Sequence, residues 1–244
     1  MTAPLLLVAH GSRDPRSAAT VRRLAAVVGE RAPGLVVRVA FLDLSEPSVP
    51  DALAELHGQG HRSVIVVPLL LGSAYHARVD LPALIAEAHE RCPGLAVTVS
   101  DVLGPDPVLQ SLAALRAAEQ LDADETAGVV LTGVGSSDAK ANAAVAGIAA
   151  AWRGQGRFAH VTHAFATCRP SVESAVARLR TAGASRIVLA PWFLAPGLLL
   201  DRAAGEARRV ADDVRVAAPL GAHPSVAEVV LARYTSPVPV AAAA

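Results

Sequence analysis

Short apolar runs alternate along the whole chain with segments in which apolar residues recur every three or four positions. In the first half the runs at 5–9, 36–41, 63–71 and 96–100 predict strands, and the stretches at 16–31, 49–57, 81–91 and 107–120 predict helices. In the first helix Ala18, Val21, Leu24, Ala25 and Val28 fall on one face, Arg22, Arg23 and Glu30 point away, and Pro33-Gly34 closes it. The run Val64-Ile65-Val66-Val67-Pro68-Leu69-Leu70-Leu71 is apolar at every position and not at alternate ones. Such a strand needs cover on both faces, as in a parallel sheet flanked by helices. The predicted class is doubly wound α/β.

The second half repeats this order, with strands expected at 128–132, 161–165, 186–193 and 214–218. Motifs recur as well. Val8-Ala9-His10-Gly11-Ser12-Arg13-Asp14 matches Thr132-Gly133-Val134-Gly135-Ser136-Ser137-Asp138 at an offset of 124 residues, and Ala40-Phe41 matches Ala164-Phe165 at the same offset. Glu46-Pro47-Ser48-Val49 and Val67-Pro68-Leu69 match Arg169-Pro170-Ser171-Val172 and Ala190-Pro191-Trp192 at 123. A period this long means duplication of a domain, since solenoid repeats run to about 20–50 residues. The expected organisation is one domain at 1–122, a second at 126–236, and a flexible tail at 237–244.

Composition narrows the function. Lys plus Arg and Asp plus Glu are equal at 22 each, so no overall field draws the chain to nucleic acid or to an anionic membrane. The apolar start lacks the basic flank of a signal peptide, and the uncharged stretch 187–200 is too short for a bilayer and contains two prolines. Two distant cysteines, Cys92 and Cys168, exclude a disulfide framework or a zinc knuckle and point to a reducing cytoplasm.

Duplication makes the sequence its own control. Residues shared by both halves serve the fold, and chemical residues found in one half are candidates for function. His10 becomes Val134, Asp43 becomes Thr167, and His76 falls opposite Leu198 or Leu199. Each follows one of the first three strands, and positions past the carboxyl ends of parallel strands line the ligand crevice, so all three are expected on one edge. The alternative is structural: a satisfied histidine, and an aspartate capping the next helix. Loss of the whole set from the second half weighs against it. His57 and His61 sit at a helix end, where the dipole explains them. Gly11 and Ser12 form neither a phosphate loop nor a nucleophile elbow; they turn the chain into a helix whose amino end would offer amides to a carboxylate.

His10-Gly11-Ser12-Arg13, Phe41-Leu42-Asp43-Leu44-Ser45-Glu46-Pro47-Ser48, Val67-Pro68-Leu69-Leu70-Leu71 and His76-Ala77-Arg78-Val79-Asp80-Leu81-Pro82 together resemble the signature of sirohydrochlorin chelatases of the CbiX and SirB type. The resemblance implies two chelatase-like α/β domains facing each other across a cleft, with the site built by the first. It implies a lyase that inserts Fe2+ into sirohydrochlorin, giving siroheme, with His10 and His76 binding the metal and assisting insertion. The family has Glu where this chain has Asp43, one methylene shorter. It implies no permanently bound cofactor, the divalent metal being a substrate. The expected partner is the tetrapyrrole, with no nucleic acid or membrane, and the expected state is a monomer or homodimer.

Sirohydrochlorin is a polycarboxylate, so local donors are needed, and Ser12, Arg13, Arg16, Ser73 and Arg78 are placed to supply them. Residues 192–194 and 198–200 could pack on the macrocycle, although core packing suits several of them better. Two rival readings stand beside this one: Co2+ insertion on a cobalamin route, and a carrier that binds tetrapyrrole or metal without catalysis.

Overall fold

The structure is a computed structural model that describes residues 2–72, 79–122, 125–153 and 158–236. His76, Ser73 and Arg78 lie outside the described residues, as does the tail from 237.

The first sheet contains β1 (Leu5–Ala9), β2 (Val37–Phe41), β3 (Ser63–Pro68) and β4 (Ala96–Val99) in the order β2-β1-β3-β4, all parallel. Between them run α1 (Pro15–Arg31), α2 (Val49–Gly58) and α3 (Leu81–Arg91). β1 is central and buried at every residue, which is why its sequence is apolar throughout. Leu6, Val8, Leu53, Leu56, Val64 and Val66 form the core on one face of the sheet.

The second half follows with α4 (Pro107–Ala118), β5 (Ala127–Gly133), α5 (Ala139–Trp152), β6 (Phe158–Phe165), α6 (Val172–Thr181), β7 (Ile187–Pro191), α7 (Leu198–Val210), β8 (Arg215–Val216) and α8 (Pro224–Thr235). Its sheet has the same parallel order, β6-β5-β7-β8, with β5 buried throughout. The helix starts repeat too. Asp14 and Asp138 cap α1 and α5 by accepting the amides of Arg16 and Lys140, while Ser48 and Ser171 cap α2 and α6.

Several strand ends differ from those the sequence predicts. β3 stops at Pro68, although the Leu69 amide still donates to Val8 O at 2.7 Å, and the apolar residues beyond leave the ladder. β8 is two residues long, Arg215 and Val216 pairing with Val188 and Leu189 of β7. β6 starts earlier than expected, its extra residues joined to β5 past an irregularity at Ala127/Gly128.

The two compact units do not coincide with the sequence repeats. One unit is Met1–Asp106 with Ala222–Ala244, and the other is Pro107–Gly221. Helix α4, written at the end of the first repeat, belongs to the second sheet, and α8, written at the end of the second, belongs to the first. Specific bonds hold α8 there: Tyr234 donates its hydroxyl to Ala3 O at 2.6 Å, and Arg233 donates to Val102 O, Leu103 O and Asp106 at 3.0–3.2 Å. In the second unit Glu125 pairs with Arg186 at 2.6 Å and with Arg215 at 3.1 Å, and Arg215 also donates to Gln120 O. Arg186, the first cause, holds the Glu125 carboxyl below its ordinary pKa.

Candidate functional site

β1 is the point at which the first sheet changes direction. The chain leaves it towards β2 on one side and returns to β3 on the other. The loops after β1 and β3 therefore diverge, and the gap between them at the carboxyl ends is where open α/β sheets hold ligands. His10 is the residue after β1, and it is exposed. Leu69 follows β3 on the other side of that gap, its amide donating to Val8 O at 2.7 Å.

The loop after β2 is drawn against His10. The Leu42 amide donates to Ala9 O at 2.9 Å and the Asp43 amide to His10 O at 3.0 Å, so ladder pairing continues past the strand ends and sets Asp43 beside His10 in the chain path. Gly11 permits this approach. Its φ is +96°, and a β-carbon there would lie 1.7 Å from Asp43 O. Ser12 and Ser45 complete the junction: the Ser12 amide donates to Ser45 Oγ at 3.2 Å, and Ser45 Oγ donates to Ser12 O at 3.1 Å.

The Ser12 hydroxyl accepts the Asp14 amide at 3.0 Å, which makes it a turn-forming group. Arg13 is exposed beside it. Arg16 turns its guanidinium onto Asp14, with Nε at 3.0 Å from Oδ1 and Nη2 at 2.5 Å from Oδ2. Asp14 is only 6% exposed, and hydrogen bonding by Arg16 holds its carboxyl below the ordinary aspartate value. Asp14 also takes the Arg16 amide, so the amino end of α1 already serves an internal carboxylate. That corrects the expectation that its amides offer a site to substrate.

Past the junction, Asp43, Leu44, Ser45 and Glu46 line an open depression of about 330 Å3 over Phe41 and Ser48. Asp43 is exposed, and its Oδ1 accepts the Leu44 amide at 2.7 Å. Leu44 has a φ of 60° and is 47% exposed. A left-handed conformation costs a residue with a β-carbon roughly 1–2 kcal/mol. Arg22 steadies the loop from α1, its guanidinium 5.8 Å from the Phe41 ring centroid and its Nη2 donating to Glu46 O at 2.9 Å. Sequence reasoning assigned Arg22 to the polar face of α1 and missed this tie; nothing in the helical pattern distinguishes it from Arg23.

The second unit keeps the scaffold without the chemistry. The Ala166 and Thr167 amides donate to Gly133 O and Val134 O, both at 3.0 Å, and Gly135 has a φ of +95°. Thr167, in the place of Asp43, spends its hydroxyl on Val134 O at 2.8 Å. Asn142 replaces Ser45 as the clamp, accepting the Ser136 amide and donating to Ser136 O. Val134, Leu198 and Leu199 are exposed, whereas Trp192, Phe193 and Leu200 are core residues. Among the described residues no three His, Cys, Asp or Glu side chains group as a metal centre. None of the described helices is long and apolar enough to cross a membrane.

The CbiX family model matches residues 4–120 and, a second time, 128–236. The chain belongs to the CbiX family. Among its relatives is a sirohydrochlorin ferrochelatase of Bacillus subtilis, 27% identical over 237 residues, which span 96% of this chain and 91% of the relative. A sirohydrochlorin ferrochelatase of Priestia megaterium is 26% identical, with 92% and 86% spanned. A sirohydrochlorin cobaltochelatase of the same organism is 28% identical over 81% of this chain but 66% of its own length. The solved structure of SirB from Bacillus subtilis with Fe3+ superposes with a TM-score of 0.81 at 27% identity, covering 96% of this chain and 95% of that one. Membership of this family carries the fold described above, two parallel four-stranded sheets flanked by helices.

Proposed function

We propose that this chain is a sirohydrochlorin chelatase, a lyase that inserts a divalent metal into sirohydrochlorin. The observation that carries the proposal is the position of His10. It stands at the switch point of the first sheet, with Asp43 tied to it through the backbone, in one repeat of two and in a chain related along its full length to sirohydrochlorin chelatases.

Insertion exchanges two pyrrole N–H protons for one divalent cation. A site that does this must shed water from the ion, hold it loosely and take up protons. Neutral imidazole suits borderline ions and accepts protons near neutral pH. In this mechanism His10 and His76 present the ion to one face of the ring, one of them accepts one pyrrole proton as the ion leaves, and the second proton passes to solvent water. Asp43 orients an imidazole or relays that proton through the carboxylate oxygen that is not bonded to Leu44. Arg13 meets a substrate carboxylate directly. Arg16 does so only by sharing its guanidinium with Asp14, and Ser12 acts through the turn it builds. Ser73 and Arg78 complete the set expected from sequence.

Fe2+ is the favoured metal, because the two ferrochelatases span 92% and 96% of this chain and the Priestia megaterium cobaltochelatase 81%. Co2+ is the second reading. We take 1–122 and 126–236 as the products of one duplication, the second a degenerate copy, a division supported by the two family matches. A reducing cytoplasm suits the two free cysteines, Cys92 and Cys168.

The test mixes purified protein, sirohydrochlorin and Fe2+ or Co2+ under anaerobic conditions and follows the visible spectrum. Accelerated conversion that is lost in His10→Ala and His76→Ala is the expected result. Tight binding of sirohydrochlorin with no acceleration by any divalent ion would identify a carrier instead.

A further inference from the structure

We propose that Leu44 is a substrate-contacting residue of the same site, an apolar prop against the ring of a large planar ligand; the inference rests on the chelatase reading. Leu44 is the one non-glycine residue with positive φ among the described residues. Glycine adopts that conformation freely and asparagine readily, whereas leucine adopts it rarely. A leucine kept in a left-handed position for the fold would be expected to bury its side chain. This one is 47% exposed, at the mouth of the depression next to Asp43. Core packing therefore does not account for it.

The second repeat points the same way. Asp43 and Thr167 correspond at an offset of 124, and Glu46 and Arg169 at 123, so the first repeat has one more residue in this loop. The second repeat makes the same turn from β6 to α6 without it, and no residue of that turn is left-handed. The extra residue is thus dispensable for the scaffold, and it is present in the copy that has His10 and Asp43.

The surroundings fit one kind of occupant. Asp43 Oδ1 pins the Leu44 amide at 2.7 Å, fixing the backbone that aims the side chain. The polar neighbours on the loop, Asp43 and Glu46, are acidic and would repel the carboxylates of a tetrapyrrole. An apolar group there meets the ring itself and leaves the acid side chains of the ligand to the cationic neighbours of His10.

The experiment compares wild type with Leu44→Asn, which tolerates the left-handed backbone and removes the apolar group, and with Leu44→Met, which keeps an apolar side chain. Kd for sirohydrochlorin is read by absorbance titration without metal, together with Tm and steady-state kcat and KM. Leu44→Asn is expected to hold or raise Tm while Kd and KM rise about three- to tenfold, the share of leucine burial still open at this position. kcat stays within about twofold, and Leu44→Met restores Kd. An unchanged Kd in Leu44→Asn with turnover intact, or a Tm that falls in parallel with affinity, would overturn the role of Leu44 alone. Absence of turnover in the wild type would instead overturn the chelatase reading on which it rests.

Discussion

Asp43, Gly11 and His163 illustrate three kinds of dependence on a single residue. Replacing Asp43 by Asn removes the charge that orients or relays while keeping the bond to the Leu44 amide. Insertion should slow about 10–100-fold with Tm nearly unchanged, and Asp43→Glu should recover most of the rate, as steady-state kinetics with each variant will show. Gly11→Ala places a β-carbon against Asp43 O, so it should lower unfolding free energy by about 3 kcal/mol or more, measured by urea denaturation, and abolish insertion with it. His163 on β6 predicts a pH effect. Its Nδ1 is buried without a hydrogen-bond partner among the described residues, and burial first, then the charges of Arg178 and Arg153, hold its pKa below the ordinary 6.5. The unfolded chain takes up this proton before the folded one does. The stability contribution is therefore fully present above about pH 6.5, falls as pH drops through that value, and levels off below the depressed folded-state pKa. Thermal midpoints between about pH 7 and pH 5 should fall less steeply in His163→Leu than in wild type. At this scale the sequence showed which residues differ between the repeats, but not that Arg16 is committed to Asp14 or that Leu44 is left-handed. Both depend on dihedral angles and distances that residue identity does not encode.

Elements were legible where a side chain acts on its own neighbours in sequence. The apolar face of α1 is a local fact of spacing, and so is His57 in the last turn of α2, whereas the cap of α2 is Ser48 and not Asp43, the aspartate weighed for that part. His223 is not legible as a cap, because histidine seldom serves as an N-cap, yet its Nδ1 accepts the Ser225 amide at 3.2 Å at the start of α8. His223→Ala should lower stability by about 1 kcal/mol and His223→Asn should restore it, measured by chemical denaturation. Strand ends were the least legible, because a strand extends only as far as its partner does. The run from Leu69 to Leu71 is as apolar as β3 itself, yet pairing with β1 ends at Val8 and Pro68.

For the molecule as a whole, the exchange of α4 and α8 yields a prediction that the repeats alone would reverse. Removing residues 222–244 truncates the second repeat but strips α8 from the first unit, along with the Tyr234 and Arg233 bonds to Ala3, Val102, Leu103 and Asp106. Both tryptophans, Trp152 and Trp192, belong to the second unit. The truncated protein should therefore keep a native tryptophan emission transition while losing helical circular dichroism from the first unit, and loss of the tryptophan transition would show that α8 supports the second. Duplication, the α/β class and the asymmetry between His10 and Val134 were determined by sequence alone, because each is a pattern along the chain that burial on both faces of a sheet imposes locally. The order β2-β1-β3-β4, the switch point beside His10, the closure of the Asp43 loop over Gly11 and the exchange of the two terminal helices were decided only in the tertiary structure. Each joins residues that are distant in sequence, and two amphipathic helices with equivalent apolar faces do not reveal from their own residues which sheet they cover.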